Sequence, residues 1–221
     1  MRILLLAALD EEAAAFRPGD GAALDGAGPP ARRMTIGRHE VTLATTGIGK
    51  VNMAVAAARL HALHDAQLLL TLGTAGKLSG VMGDCFYLAR AVQHDYGARR
   101  ADAFIHYRPG AWPLGPAHAE PFHALPDPGS GLPPACIASG DAFIEDSAFA
   151  AHLVATLDAD LVDMETAALA QFADNAGLPW AGIKATTDDA DHASAGDFHA
   201  NLVAASSRAA EAMNRLIAAL P

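Results

Sequence analysis

Apolar residues along the chain fall into short unbroken runs, separated by Ala-rich segments with helical spacing. The first run, Leu4-Leu5-Leu6-Ala7-Ala8-Leu9, reads as a buried strand. Asp10-Glu11-Glu12-Ala13-Ala14-Ala15-Phe16 follows as a helical turn, with its acids at the positive N-terminal end. Residues 32–46 alternate as a β-hairpin does, turning near Gly37 or the His39-Glu40 pair. Gly47-Ile48-Gly49-Lys50 opens a helix from about Val51 to Ala62, apolar on most faces, which leads to a second buried strand at Leu68-Leu69-Leu70-Thr71-Leu72. Gly73-Thr74-Ala75-Gly76 reads as a tight exit from that strand.

The last third predicts strands at Ala135-Cys136-Ile137-Ala138, Leu161-Val162-Asp163-Met164 and Trp180–Ala185. A helix over Glu165–Asn175 ends before Gly177, and an amphipathic helix from about Phe198 to Leu220 closes the chain. This alternation is that of an α/β domain with helices covering a central sheet. Residues 108–134 are rich in Pro, Gly and His and have neither period, so they read as a long ordered loop, a lid or an interface arm. No composition shift or repeat divides residues 1–221, and a single domain is expected.

Composition narrows the function classes. With 221 residues, 52% hydrophobic and 18% charged, the chain can bury a large core. Its apolar runs are too short to span a bilayer, and the first is followed at once by acids with no small-residue cleavage site, so neither a transmembrane segment nor a signal peptide is expected. A net charge of −10 without a basic cluster opposes nucleic-acid or membrane partners but not a small neutral ligand, which a pocket selects. Cys85 and Cys136 form neither a disulfide framework nor a metal set and fit a reducing cytoplasm. His94, His106, His118, His123, His192 and His199 lack metal-binding spacings.

Three acids, Glu12, Glu165 and Asp188, each follow an apolar strand, where ligand crevices form in α/β sheets. Taken singly, each has a structural explanation: Glu12 and Glu165 as openers of helices, Thr187-Asp188-Asp189 as a capping turn. The glycine turns are neither Walker nor dinucleotide fingerprints. Their order is more telling. Glu12, Gly47-Ile48-Gly49-Lys50, Gly73-Thr74-Ala75-Gly76, Ser139-Gly140-Asp141-Ala142-Phe143-Ile144, Asp163-Met164-Glu165 and Thr187-Asp188-Asp189-Ala190-Asp191 together resemble the methylthioadenosine/S-adenosylhomocysteine nucleosidases of the nucleoside phosphorylase and nucleosidase superfamily. The resemblance covers Met1 to about Asp102 and Ala135 to the C-terminus.

The resemblance implies a three-layer α/β/α domain with a mixed central sheet, of the phosphorylase/hydrolase type, working as a homodimer with neither metal nor cofactor. The implied reaction is hydrolysis of the N-glycosidic bond of a 5′-modified purine nucleoside, releasing adenine and a 5-substituted ribose. Such cleavage passes through an oxocarbenium-like state and needs an acid for the leaving base and carboxylates near the sugar. By the resemblance, Asp188 protonates purine N7, a task that a pKa raised by burial or by Asp189 and Asp191 would favour. Glu12 activates water, with Thr74 and Lys184 holding it, and Glu165 accepts the ribose hydroxyls beside Met164. Phe143 stacks on the base, the backbone of Ile144 reads its edge, and Phe198 contacts the 5′ substituent. Thr74 and Lys184 stand where the family has Ser and Arg, and Asp163 where it has Glu; Lys lacks the planar fork of Arg.

Three other functions fit the same frame. A phosphorylase would use phosphate as nucleophile; Lys184 allows that, but a carboxylate at Glu12 repels phosphate, and no Gly-Asp-Pro-type turn with a following Arg is present. A nucleosidase for another nucleoside, such as a futalosine derivative or an adenosylated lipid precursor, is consistent with the unmatched segment 108–134. A catalytically silent nucleoside-binding protein is opposed by the retention of all three acids.

Overall fold

The computed structural model describes residues 1–19, 21–24, 28–78 and 80–221, and it turns the N-terminal apolar run into β1 (Arg2–Ala7). The run is unbroken because both faces of the strand are covered. Ile3, Leu5 and Ala7 face one core, and Leu4 and Leu6 face another. Each buried Leu contributes about 2 kcal/mol relative to exposure.

The remaining elements are, in order, α1 (Asp10–Ala15), β2 (Ala22–Leu24), β3 (Ala31–Ile36), β4 (His39–Thr45), α2 (Lys50–His64), β5 (Leu68–Lys77), β6 (Cys85–Gln93), β7 (Gly97–Arg99) and β8 (Phe104–His106). There follow β9 (Phe122–His123), β10 (Pro134–Ser139), α3 (Ser147–Leu157), β11 (Leu161–Asp163), α4 (Thr166–Ala176), β12 (Trp180–Asp188) and α5 (Ser194–Ala219). A ten-stranded mixed sheet runs β11-β10-β6-β12-β5-β1-β4-β3-β2, with β9 on β6. The end of β5 also pairs antiparallel with β11, so β5, β12, β6, β10 and β11 close a ring. Helix α5 packs with Phe16 on one face of the sheet, and α2 and α4 cover the other, giving three layers. A third cluster packs α3 against Val92, Ala138, Ile144 and Val162.

The hairpin, α2, α4 and β10 lie where the hydrophobic pattern places them, with Gly37 turning the hairpin at φ +56°. Two strands are longer than expected. β5 continues through Gly73-Thr74-Ala75-Gly76, which is no exit, because β12 pairs with it across Lys184↔Gly73, Ala185↔Thr74 and Thr186↔Ala75. β12 itself reaches Asp188, and α5 begins at Ser194, ahead of Phe198. Segment 108–134 is mostly irregular; within it lie β9 and His118, which is bridged to Tyr107. Arg108 holds it down by lying over Phe122 at 4.1 Å and bonding Asp174 of α4 at 2.9 Å. Among the described residues no helix is long and apolar enough to cross a membrane, and no cluster of His, Cys, Asp and Glu could hold a metal ion.

Candidate active site

The C-terminal ends of β1, β4, β5, β10, β11 and β12 and the first turns of α5 meet around a cavity of about 430 Å³. Its lining includes Glu12, Thr74, Phe143, Ile144, Met164, Glu165, Asp188 and Phe198, so all but one of the residues singled out in the sequence face one space. Lys184 is not among the lining residues; its Nζ lies 3.0 Å from Asp163 Oδ2, with both side chains almost fully buried.

Glu12 is 2% exposed and held on both oxygens. Oε1 accepts from the Thr74 amide at 2.7 Å and the Thr74 hydroxyl at 2.9 Å; Oε2 accepts from the amides of Ala8 at 3.0 Å and Leu9 at 3.1 Å. The helix-opening reading of Glu12 is therefore also true: its side chain reaches back to the backbone N–H before α1 while its carboxylate faces the cavity. Gly73 makes room for it. A Cβ there would sit 2.5 Å from Glu12 Oε1. Because that carboxylate is anchored by its hydrogen bonds, Gly73→Ala is expected to displace it and lower kcat about 100-fold, the scale of a lost general base. Steady-state kinetics beside a thermal melt checks this; near-normal turnover in a folded variant would show that the position of Glu12 is unimportant.

Asp188 closes β12 and lines the same cavity. Its Oδ2 accepts from the Thr187 hydroxyl at 2.7 Å and its Oδ1 from the Ala190 amide at 3.1 Å. Asp189 turns away towards Lys77, 3.8 Å distant, and Asp191 accepts from the Ala193 amide, so neither neighbouring acid is directed at Asp188 by its own contacts. Gly76 lies alongside, where a Cβ would come within 3.0 Å of Asp188 Oδ1.

Glu165 is 5% exposed and takes the Gly49 amide on Oε1 at 2.7 Å. The Gly47-Ile48-Gly49-Lys50 turn thus supplies a donor to a carboxylate. Burial, and then the neighbouring Asp163, push the Glu165 carboxyl up to about 7, against the opposing pull of Lys184 and the Gly49 amide. Phe143 is 46% exposed at the mouth, in edge contact with Phe198 at 5.9 Å between centroids. Ile144 is buried behind it. His199 also lines the cavity; the sequence sets it only among six histidines without metal-binding spacings and gives it no role of its own. Ser139, quoted only as the first residue of a motif, and Thr166, which adjoins one, were given no role. They do not line the cavity but bond Asp163.

The arrangement gathers three carboxylates, Glu12, Glu165 and Asp188, around one cavity whose lining also carries the Phe143–Phe198 edge contact. The chain matches the family model of the Phosphorylase superfamily over residues 2–220. It is 32% identical over 165 residues to a 5′-methylthioadenosine/S-adenosylhomocysteine nucleosidase of Halalkalibacterium halodurans, covering 70% of each chain. It is 30% identical over 175 residues to an aminodeoxyfutalosine nucleosidase of Campylobacter jejuni, covering 72% of each. A solved 5′-methylthioadenosine/S-adenosylhomocysteine nucleosidase from S. pneumoniae with a transition-state inhibitor superposes with a TM-score of 0.84 at 26% identity, covering 100% of both chains.

Proposed function

The chain belongs to the phosphorylase superfamily, and within it we propose that the protein hydrolyses the N-glycosidic bond of a 5′-modified adenine nucleoside such as methylthioadenosine or S-adenosylhomocysteine. The observation that carries this reading is the convergence of Glu12, Glu165 and Asp188 on one cavity. Asp188 gives its proton to N7 of the base as the C1′–N9 bond breaks, so adenine leaves neutral. Glu12 takes a proton from the attacking water, whose oxygen forms the new bond to C1′. Glu165 accepts the ribose hydroxyls, and Met164 lies beside the sugar. Phe143 covers the base, the Ile144 backbone reads its edge, and Phe198 packs on the 5′ group.

Water is favoured over phosphate as the nucleophile on two grounds. A phosphate beside Glu12 would meet a carboxylate, and the one buried lysine near it is already paired with Asp163. Thr74 then keeps its assigned place beside the water, whereas Lys184 acts through Asp163. The Campylobacter jejuni relative favours a second reading of the 5′ group, an aminodeoxyfutalosine. Adenine release is expected from methylthioadenosine in phosphate-free buffer, with no gain on adding phosphate. Release that requires phosphate would overturn the role given to Glu12, and the ranking of methylthioadenosine, S-adenosylhomocysteine, aminodeoxyfutalosine and adenosine identifies the 5′ group.

The same reading treats residues 1–221 as one domain, supported by the extent of the family match. It takes the protein as a homodimer, supported by an apolar strip at the start of α2 beside the cavity, where Ile48, Val51 and Val55 are 51%, 71% and 59% exposed. Two free cysteines favour the cytoplasm, and consumption of methylthioadenosine fits methionine salvage.

A further inference from the structure

Glu165 stands at the N-terminal boundary of α4, where a side chain ordinarily caps the first free backbone N–H groups. It makes no such bond, and its carboxylate turns into the cavity. Other residues cap the helix in its place. Asp163 Oδ1 accepts from the Glu165 amide at 3.3 Å and the Thr166 amide at 3.2 Å, and Oδ2 accepts from the Thr166 hydroxyl at 2.5 Å. Ser139 donates its hydroxyl to Asp163 Oδ1 at 2.5 Å and accepts from the Ala167 amide at 2.9 Å. The fourth side of this buried carboxylate is Lys184, whose Nζ lies 3.0 Å from Oδ2.

We propose that Asp163 and Lys184 are a positioning pair for Glu165: Asp163 takes over the cap of α4 and so frees the Glu165 carboxylate to face the ligand, while Lys184 balances the charge this places beside it. The inference rests on the reading of Glu165 as the ribose-binding carboxylate. Neither member of the pair lacks a reason to be charged. Burial works against the Asp163 charge, but Lys184 and the hydroxyls of Ser139 and Thr166 hold the carboxyl below its usual range. Burial also works against Lys184, and Asp163, Glu12 and Glu165 around it keep it protonated.

The charged and polar groups acting on Glu165 come from each element around it. They are Asp163 from β11, Lys184 from β12, Glu12 from α1 and the Gly49 amide from the turn before α2, with Asp188 sharing the cavity. Asp163 disfavours the Glu165 carboxylate and Lys184 favours it. Removing one or the other therefore has opposite effects. Paired ribose hydroxyls need an acceptor on both oxygens, so kcat/KM falls as the pH drops through the Glu165 titration, which kcat/KM reports for the free enzyme.

The test is the pH profile of kcat/KM for adenine release from methylthioadenosine. The wild type is expected to lose activity on the acid side of about pH 7. In Asp163→Asn that limb moves to lower pH, and in Lys184→Gln to higher pH, by about one pH unit each. The Asp163→Asn/Lys184→Gln double variant removes both members of the buried ion pair together, so neither is left buried without the other, and it protects the test against misfolding of the single variants. Its limb returns towards the wild-type position. KM nevertheless rises roughly tenfold, because the single acceptor oxygen of the introduced asparagine cannot serve both amides and both hydroxyls. Limbs that stay put or move the same way in the single variants, or an unchanged KM in the double variant, would overturn the proposal. Glu165→Gln separates the two levels: if it keeps the wild-type acid limb, the role of Glu165 is wrong, whereas if it abolishes the limb while Asp163→Asn leaves it unmoved, only the positioning pair is wrong.

Discussion

Asp188→Asn is expected to lower kcat by about three orders of magnitude while KM for methylthioadenosine changes only a few-fold. A group that protonates the leaving base acts in the transition state and contributes little to holding the substrate, so kcat and kcat/KM fall together. Loss of a positioned general acid costs about 10²–10⁴-fold in rate. The site should tolerate the change. The amide oxygen of Asn can keep the Ala190 N–H bond of Oδ1. Its NH2 would face the Thr187 hydroxyl, which can accept it by turning its own proton to the Ala75 carbonyl, 3.4 Å away. An unchanged thermal midpoint with collapsed kcat would therefore isolate the chemistry. Turnover within about tenfold of wild type would assign the proton to another group.

Much of this site was legible because its three acids follow or close strands, and strands buried on both faces announce themselves as apolar runs. β1 and the first half of β5 are such runs, and Glu12 follows the first directly. The second half of β5 was misread because glycine is also a turn residue. Gly73 is there for space beside Glu12, and Gly76 for space beside Asp188, and a local pattern does not distinguish room for a side chain from a change of chain direction. β6 and α3 gave no clear signal, since their burial depends on partners distant in sequence, β10 and β12 for the strand and the β10–β11 cluster for the helix.

Two of the three departures from the family pattern, Asp163 and Lys184, were visible in the sequence, but not their relation. Asp163 and Lys184 lie 21 positions apart, and only the pairing of β12 with β5, which in turn meets β11, brings their side chains to 3.0 Å. A shorter acid and an unforked cation look like two separate losses when read along the chain. In the fold they are one buried contact, and their effects are expected to be non-additive for that reason.

Glu12→Gln is expected to lower kcat by at least about 10²-fold and, unlike Asp188→Asn, to destabilise the protein as well. The carboxylate of Glu12 receives three backbone amides and one hydroxyl, which fill the lone-pair positions of its two oxygens. A glutamine must direct its NH2 at one of those pairs. Facing Ala8 and Leu9 it meets two N–H groups, and facing Thr74 it still meets one, so at least one buried donor loses its acceptor at a cost of about 1–3 kcal/mol. Kinetics and thermal melts on the same preparation measure the two effects. A stable variant with near-normal kcat would remove Glu12 from the reaction. On the proposed mechanism the same geometry gives the water a place: of the donors on Glu12, only the Thr74 hydroxyl can rotate away without moving the backbone, so a water activated by Glu12 is expected in place of that O–H, with Thr74 turning to hold it. The other contacts of Glu12 come from the fixed backbone amides of Ala8, Leu9 and Thr74.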